Sequence, residues 1–342
     1  MANVRRVIWL DSLKGVLILL VVLGHSIQAS MIQLGQNCLD DYLWNLIYSF
    51  HMPAFIAISG FLAYRKNAVW GGGFDWLQFT WRRFRQLMIP FLLWSVALFF
   101  VNHNVEHIYD YIIWPQKSLW FLWALFFIAV IFAGIDQIAN KLKLGQEISM
   151  LFCWLLLVGV MFVMPDAKLF GVEYVAYYFF YYVLGYYLHK YSDYLIIHNW
   201  ILIIVLGLLW FMLGSIYSTQ GLPNQLMFIS FIPSSILYYI YRILTACIAI
   251  IFLFSFGIKT MNEEKGLIQY TVTIGKVSLG IYAVHMVIRF RLVDAITSLI
   301  PGISYWPLMI VTFIVLVPLS YGIVQVLGKW KLTSTLLLGK LQ

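Results

Sequence analysis

Ten apolar runs, each long enough to cross a bilayer of about 30 Å, follow one another along this chain with only short polar stretches between them. Their approximate bounds are 7–30, 43–64, 87–102, 119–138, 148–164, 171–189, 199–217, 236–257, 272–292 and 305–327. Such a chain has few ways to fold, because in lipid every backbone N–H and C=O must be paired internally. With 63% hydrophobic and 11% charged residues and a mean hydropathy of +0.87, too few polar groups remain to cover a soluble surface. The expected fold is therefore all-α: a polytopic membrane protein of about ten transmembrane helices. No long polar segment is left over, so residues 1–342 read as a single integral membrane domain. The transmembrane bundle would occupy about 7–330, and 331–342 would form a cytoplasmic tail. The first run lacks a small-residue cleavage site and carries charges inside it, which predicts a retained helix and not a signal peptide.

Lysine and arginine placement orients the bundle. With the N-terminus in the cytoplasm, sixteen of the 22 basic residues fall on the cytoplasmic side, among them Arg5, Arg6, Arg65, Lys66, Arg82, Arg83 and Arg85. Four fall outside (Lys117, Lys168, Arg289 and Arg291), while Lys14 and Arg242 lie within runs. Cytoplasmic loops carry the basic excess, so both termini are expected in the cytoplasm. The formal charge of +8 is thereby a topology signal, and no nucleic-acid partner is expected. Cys38, Cys153 and Cys247 are far apart and give neither a disulfide framework nor metal-ligand spacing, so no metal is expected. No internal repeat, interrupted helix or low-complexity stretch is visible. Gly71-Gly72-Gly73 separates the second run from Phe74–Arg85, whose aromatics and arginines predict a short helix in the cytoplasmic interface.

The first run also carries groups that a membrane span ordinarily excludes: Asp11, Lys14 and His25. At about 100° per residue, Lys14 and His25 fall within roughly 20° of one another, and Asp11 within roughly 40° of His25. Lys14 and His25 are separated by roughly 16 Å along the axis. Intramembrane ionisable groups are costly and default to a functional reading facing the bundle interior. The stripe reads as a channel with a cation near its entry and an imidazole deeper in. His25 lies roughly 8 Å below the outer end of its run. His51 is about eight residues into the second run, and His285 about seven residues short of the outer end of the ninth, so three histidines share the outer third of the membrane. Ser118, Trp120 and Glu173 begin the fourth and sixth runs, and Arg289 ends the ninth. Such polar convergence is expected of a buried site.

Blander readings stand beside these. A single intramembrane histidine can simply bond a neighbouring helix. Pro53 and Pro90 read as kinks. Arg82-Arg83-Phe84-Arg85 can be a positive-inside anchor, Tyr177, Tyr178, Tyr181, Tyr182, Tyr186 and Tyr187 read as packing and interface aromatics, and Glu173 can be merely interfacial. Phosphate loops, dinucleotide turns and a serine elbow are absent from the sequence. Acyl transfer from a thioester to a hydroxyl, with imidazole as general base and cytoplasmic cations on the donor's phosphates, fits what remains.

Several segments then resemble the acyltransferase 3 family of integral membrane acyltransferases. Trp9-Leu10-Asp11-Ser12-Leu13-Lys14-Gly15 with Leu23-Gly24-His25 is similar to the family's opening. Ser49-Phe50-His51-Met52-Pro53 and Ile58-Ser59-Gly60-Phe61-Leu62 resemble the bacterial subgroup that includes fucose-4-O-acetylase-like proteins. Arg82-Arg83-Phe84-Arg85 with Pro90-Phe91, Ser118-Leu119-Trp120-Phe121-Leu122 and Ser278-Leu279-Gly280-Ile281-Tyr282-Ala283-Val284-His285 match later landmarks. The resemblance implies ten helices in a bacterial cytoplasmic membrane and an acyl-CoA donor, acetyl-CoA first among them, entering from the cytoplasm. It also implies an acceptor on the outer side, usually a sugar of a surface glycan, free or lipid-linked. The family's basic-x10-His motif lands on Lys14 and His25, and its Arg-x-x-Arg on Arg82 and Arg85. Many members carry Arg at the Lys14 position; Lys keeps the charge and loses bidentate phosphate geometry. The implied roles are catalysis by His25 with Asp11 and Lys14, donor phosphates at Lys14, Arg82 and Arg85, and base orientation or sugar binding by His51, Trp120, Glu173 and His285. Some relatives carry an appended extracytoplasmic hydrolase-like domain; this chain reads to Gln342 without one and would act alone or with separate glycan-synthesis machinery. The competing readings are a transporter or flippase of a lipid-linked glycan or small molecule, and an inactive scaffold in a glycan-synthesis complex.

Overall fold

A computed structural model describes residues 7–64, 75–102, 106–164, 166–229 and 231–340. Arg5, Arg6, Arg65, Lys66, the linker Gly71-Gly72-Gly73, Phe74 and the last two residues of the tail lie outside the described residues. Every regular element among the described residues is helical. The helices used below are α1 (Ile8–Gln33), α2 (Tyr42–Tyr48), α3 (His51–Ala63), α4 (Trp76–Arg83), α5 (Ile89–Asn102), α6 (Trp120–Leu142) and α7 (Gln146–Val163). The second half of the chain supplies α8 (Val172–Lys190), α9 (Trp200–Ser215), α10 (Ser234–Thr260), α11 (Gly266–Gly275), α12 (Ser278–Leu299), α13 (Tyr305–Leu327) and α14 (Lys331–Leu336).

Each apolar run of the sequence falls on a helical segment. Among the described residues seven segments are long and apolar enough to cross a membrane: α1, Tyr42–Ala63, Trp76–Val101, α6, α7, α10 and α13. The pair α11 and α12, bent by 71°, makes an eighth if it is one span. Two runs fall short of that standard for visible reasons. Helix α9 has only 16 residues, roughly 24 Å, and α8 is rich in tyrosine.

Three local features depart from the expected pattern of simple spans. Of the segment expected to form a separate interfacial helix, the described residues 75–85 do not end one: α4 runs through a π-helical turn, Phe84–Met88, into α5. Pro90 explains the turn, because its missing N–H leaves the Gln86 carbonyl without an i+4 donor and its ring crowds that carbonyl. The tail is not a loose end: α14 follows α13, Trp94 Nε1 donates to the Leu337 carbonyl at 2.9 Å, and Gly339 (φ 63°) abuts the freed Gln86 carbonyl. The ninth run, read as one uninterrupted span, is in fact broken between Gly275 and Ser278. A break between α2 and α3 falls at Ser49 and Phe50, where Pro53 denies Ser49 its helical partner.

The chain divides into two compact units, one of Met1–Phe55 with Tyr191–Tyr321 and one of Ile56–Lys190 with Gly322–Gln342. In the first, α1 is the central element and packs on α10, α11 and α12. Its closest neighbour is α11, and two glycines permit the approach. A Cβ on Gly15 would collide with the Thr271 carbonyl, and one on Gly275 with the Asp11 carbonyl. The Ser12 and Thr271 hydroxyls bond at 2.7 Å across this contact. Gly275 therefore ends α11 against the turn of α1 that carries Asp11 and Lys14. In the second unit the same device joins α3 to α8: Gly60 lies on the Tyr182 carbonyl and Gly185 on the Ala57 carbonyl. His189 Nδ1 bonds the Phe61 carbonyl at 2.7 Å beside them.

Candidate active site

Helices α1 and α12 meet through three polar rungs. His25 Nδ1 lies 2.7 Å from His285 Nε2, Arg289 Nη1 donates to Gln28 Oε1 at 3.0 Å, and Gln33 Nε2 donates to Thr297 Oγ1 at 3.2 Å. The spacing is helical on both sides, His25 and Gln28 three apart and His285 and Arg289 four apart, so each pair shares a face. Residue numbers rise together across the rungs, so the two helices run parallel.

The histidine rung has a direction. His285 Nδ1 is 2.8 Å from the Ile281 carbonyl oxygen, which can only accept; Nδ1 therefore carries the proton. A neutral His285 then offers Nε2 as an acceptor, and His25 Nδ1 must donate to it. His25 is left with its Nε2 lone pair uncommitted by this chain of bonds. The two rings stack with centroids 5.0 Å apart and 22° between planes, and His285 is fully buried. This is the tautomer control that a base needs from an orienting partner.

His51 is buried at the start of α3, its ring edge-on to Tyr48 at 4.7 Å. Its Nδ1 donates to the Ile47 carbonyl at 2.7 Å, which also leaves Nε2 as the acceptor. The same Tyr48 ring lies against Gly24, the neighbour of His25 on α1. The three histidines singled out in the sequence are thus brought together within the first unit. Asp11 and Lys14 are also joined: Lys14 Nζ donates to Asp11 Oδ1 at 3.0 Å, with side chains 22% and 10% exposed. The pair uses one of three ammonium donors and leaves two for a ligand.

Arg82, Arg85, Trp120 and Glu173 belong to the second unit. Arg82 and Arg85 are exposed and form no ion pair among the described residues; the Arg85 guanidinium lies 5.9 Å from the Trp81 ring centre. Both flank the start of the π-turn, a local geometry frequent at functional sites. Trp120 opens α6 and stacks on Tyr174 at 4.6 Å and 25°, with Tyr178 next at 5.1 Å. Glu173, in the first turn of α8, is the sequence neighbour of that stacked Tyr174. Tyr178, read from the sequence as packing, and Tyr174, not singled out there, therefore form an aromatic platform with Trp120, the kind of surface on which sugar rings stack. Ser118 is buried and bonds Ser95 Oγ at 2.6 Å, so it serves the packing of α5.

Gln28 and the Ile281 carbonyl were not anticipated from the sequence. Their signal is only the i, i+3 and i, i+4 spacing to His25 and His285. Cys38, in the turn between α1 and α2, is no competing nucleophile, because burial pushes its thiol up and keeps it protonated. Among the described residues no cluster of His, Cys, Asp or Glu is arranged to hold a metal ion.

A family model described as an acyltransferase domain matches residues 7–325. The nodulation protein NolL of Sinorhizobium fredii (strain NBRC 101917 / NGR234) is 31% identical over 155 residues, which cover 42% of this chain and 41% of that protein. Nodulation protein NolL of Mesorhizobium japonicum (strain LMG 29417 / CECT 9101 / MAFF 303099) is 33% identical over 155 residues, 39% of this chain and 37% of that protein. The chain thus spans about two fifths of the length of each of these relatives. No solved structure matches it.

Proposed function

The chain belongs to the acyltransferase 3 family, and from that premise we propose that it is a membrane O-acyltransferase of the bacterial cytoplasmic membrane. It moves an acyl group, acetyl in the first instance, from cytoplasmic acyl-CoA to a sugar hydroxyl of a cell-surface or exported glycan. The observation that carries the reading is the directed chain Ile281 C=O, His285, His25, which leaves the His25 Nε2 lone pair as a neutral base. That nitrogen takes the proton of the acceptor hydroxyl as its oxygen attacks the thioester carbon. His285 fixes the tautomer of His25 and stabilises the imidazolium that forms. The coenzyme thiolate then leaves and recovers the proton from His25. Lys14 supplies two free donors to the acyl donor's phosphates while Asp11 holds its ammonium in place. In the second unit, Arg82 and Arg85, exposed and without carboxylate partners among the described residues, are the cations for donor phosphate. His51 orients the acceptor through Nε2, and Trp120 with Glu173 binds the sugar ring. The acceptor is a polymeric or lipid-linked glycan, delivered by separate glycan-synthesis machinery.

The test is direct. Purified protein in lipid nanodiscs, given radiolabelled acetyl-CoA and glycan from a strain lacking this protein, should transfer label to the glycan. His25→Ala should drop turnover to background, since general-base catalysis commonly supplies about 10²–10⁴-fold. Activity within a few-fold of wild type would overturn the assignment. The broken pair α11 and α12 favours one second reading, transport, because interrupted helices recur at transporter binding sites. Glycan crossing the membrane unmodified, with no label transferred, would support it.

A further inference from the structure

Arg289 is the one cation of the polar ladder, and its bonding is incomplete. Its guanidinium carries five N–H donors in one plane. Nη1 is used on Gln28, while Nε is buried with no hydrogen-bond partner. Among the described residues no carboxylate pairs with it; the ion pairs join Lys14 to Asp11, Lys190 to Glu147, Lys265 to Glu263 and Lys276 to Glu264. Tyr48, Tyr282 and Cys38 are among its neighbours, and none of them is a carboxylate. Phe290 lies 4.6 Å from its Cζ and contributes only a ring face. A half-buried cation without a counter-ion, its Nε–H buried and unused, is costly to keep, and its cost is repaid when an anion arrives. The place is specific: Arg289 stands one turn along α12 from His285, and the Gln28 it bonds stands one turn along α1 from His25.

We infer that Arg289 holds the oxyanion of the reaction, donating its free Nε–H to the thioester carbonyl oxygen as that oxygen gains charge. The inference rests on the acyl-transfer reading and adds the electrophilic half that the histidine chain does not supply. In the step concerned, the acceptor O–H proton goes to His25 Nε2 and the hydroxyl oxygen forms a bond to the carbonyl carbon. The carbonyl π pair moves onto oxygen, where the guanidinium faces it. Collapse restores the double bond, breaks the C–S bond and sends its electron pair to the coenzyme sulfur, which takes the proton from His25. A fixed cation is worth more at that oxygen than in water, because the site is desolvated and the donor needs no reorganisation.

The same nanodisc assay tests this. Arg289→Gln should lower kcat about 10²–10³-fold, the usual loss for one oxyanion donor, with both KM values within about threefold of wild type. Arg289→Lys keeps the charge but not the planar donor and should lose at least about tenfold. To guard against misfolding, Arg289→Gly should recover turnover with millimolar guanidinium but not with urea, its neutral isostere. Rescue of that kind comes only from folded protein. Failure of wild-type protein to transfer any label would sink the acyl-transfer reading and this role with it. Transfer by wild type with an Arg289→Gln kcat within threefold would sink this role alone. So would a rise confined to the acceptor KM, which would mean that Arg289 reads a charge on the sugar, and so would rescue by urea as well as guanidinium.

Discussion

His285 acts through His25 and not on substrate, so its loss should read differently from loss of the base. His285→Ala frees His25 to take either tautomer, and kcat should fall about 10²–10⁴-fold with KM little changed. His285→Gln can still accept the His25 Nδ1 proton through Oε1, and should recover at least about tenfold over His285→Ala. Equal losses in the two variants would mean that the ring serves packing. Lys14 and Asp11 offer a second residue-scale test. Lys14→Met removes the ammonium bonded to Asp11 and leaves the carboxylate, whereas Asp11→Asn with Lys14→Met removes both charges together. Expression should recover in the double variant and acyl transfer should not, because the ammonium is needed by the donor. Turnover restored in the neutral pair would reduce it to a structural contact. The Asp11, Lys14 and His25 stripe was legible in the sequence because helical periodicity fixes which residues share a face. The His25–His285 bond joins residues 260 apart, and periodicity within each helix says nothing of which faces meet. Both histidines could be singled out, but not their partnership or its direction.

At the scale of elements, the contact of α1 with α11 depends on two missing side chains. Gly275→Leu must push α11 off the Asp11 carbonyl, and Gly15→Leu must push it off the Thr271 carbonyl. Overpacking of this kind costs about 1–3 kcal/mol, so either variant should melt earlier in detergent than wild type. Gly159→Ala, in the middle of α7 with nothing within 4 Å of its Cβ, should melt no earlier. Indistinguishable melting of Gly275→Leu and wild type would mean that the close crossing is not a stabilising contact. The same crossing explains why the ninth run could be recognised but its break could not. Apolar periodicity marks a helix, and Pro53 marks the break before α3 in the sequence itself. Nothing local marks the break after Gly275: it follows from what α11 rests against. The π-turn before α5 is intermediate, since Pro90 announces a disturbed helix without saying that the tail will cover the freed carbonyl.

For the whole molecule, the parallel course of α1 and α12 constrains how many helices cross between them. Both begin on the same side of the membrane, so the number of crossings from the end of one to the start of the other must be odd. Counting only segments that meet the length and hydropathy standard gives eight spans, with the bent pair seventh; adding α8 and α9 gives ten, with the bent pair ninth. Either count satisfies the parity, but only if α8 and α9 cross together or not at all. Both termini then share a side, which is the cytoplasm on the distribution of Lys and Arg. The segment between α8 and α9 separates the two counts, being cytoplasmic with ten spans and external with eight. In a variant whose three native cysteines are replaced, Lys168→Cys should react with an impermeant maleimide in intact cells, and Glu263→Cys only after permeabilisation. Ten spans require Asp193→Cys to behave like Glu263→Cys. We expect that outcome, because α8 packs its tyrosines inward against α6 and α3, where a water-loving hydroxyl count misleads a hydropathy scale, and because 16 apolar residues flanked by interfacial Trp200 nearly span the hydrocarbon. Labelling of Asp193→Cys from outside would leave eight spans and put α8, with Glu173 and the Tyr174 platform, wholly on the external face.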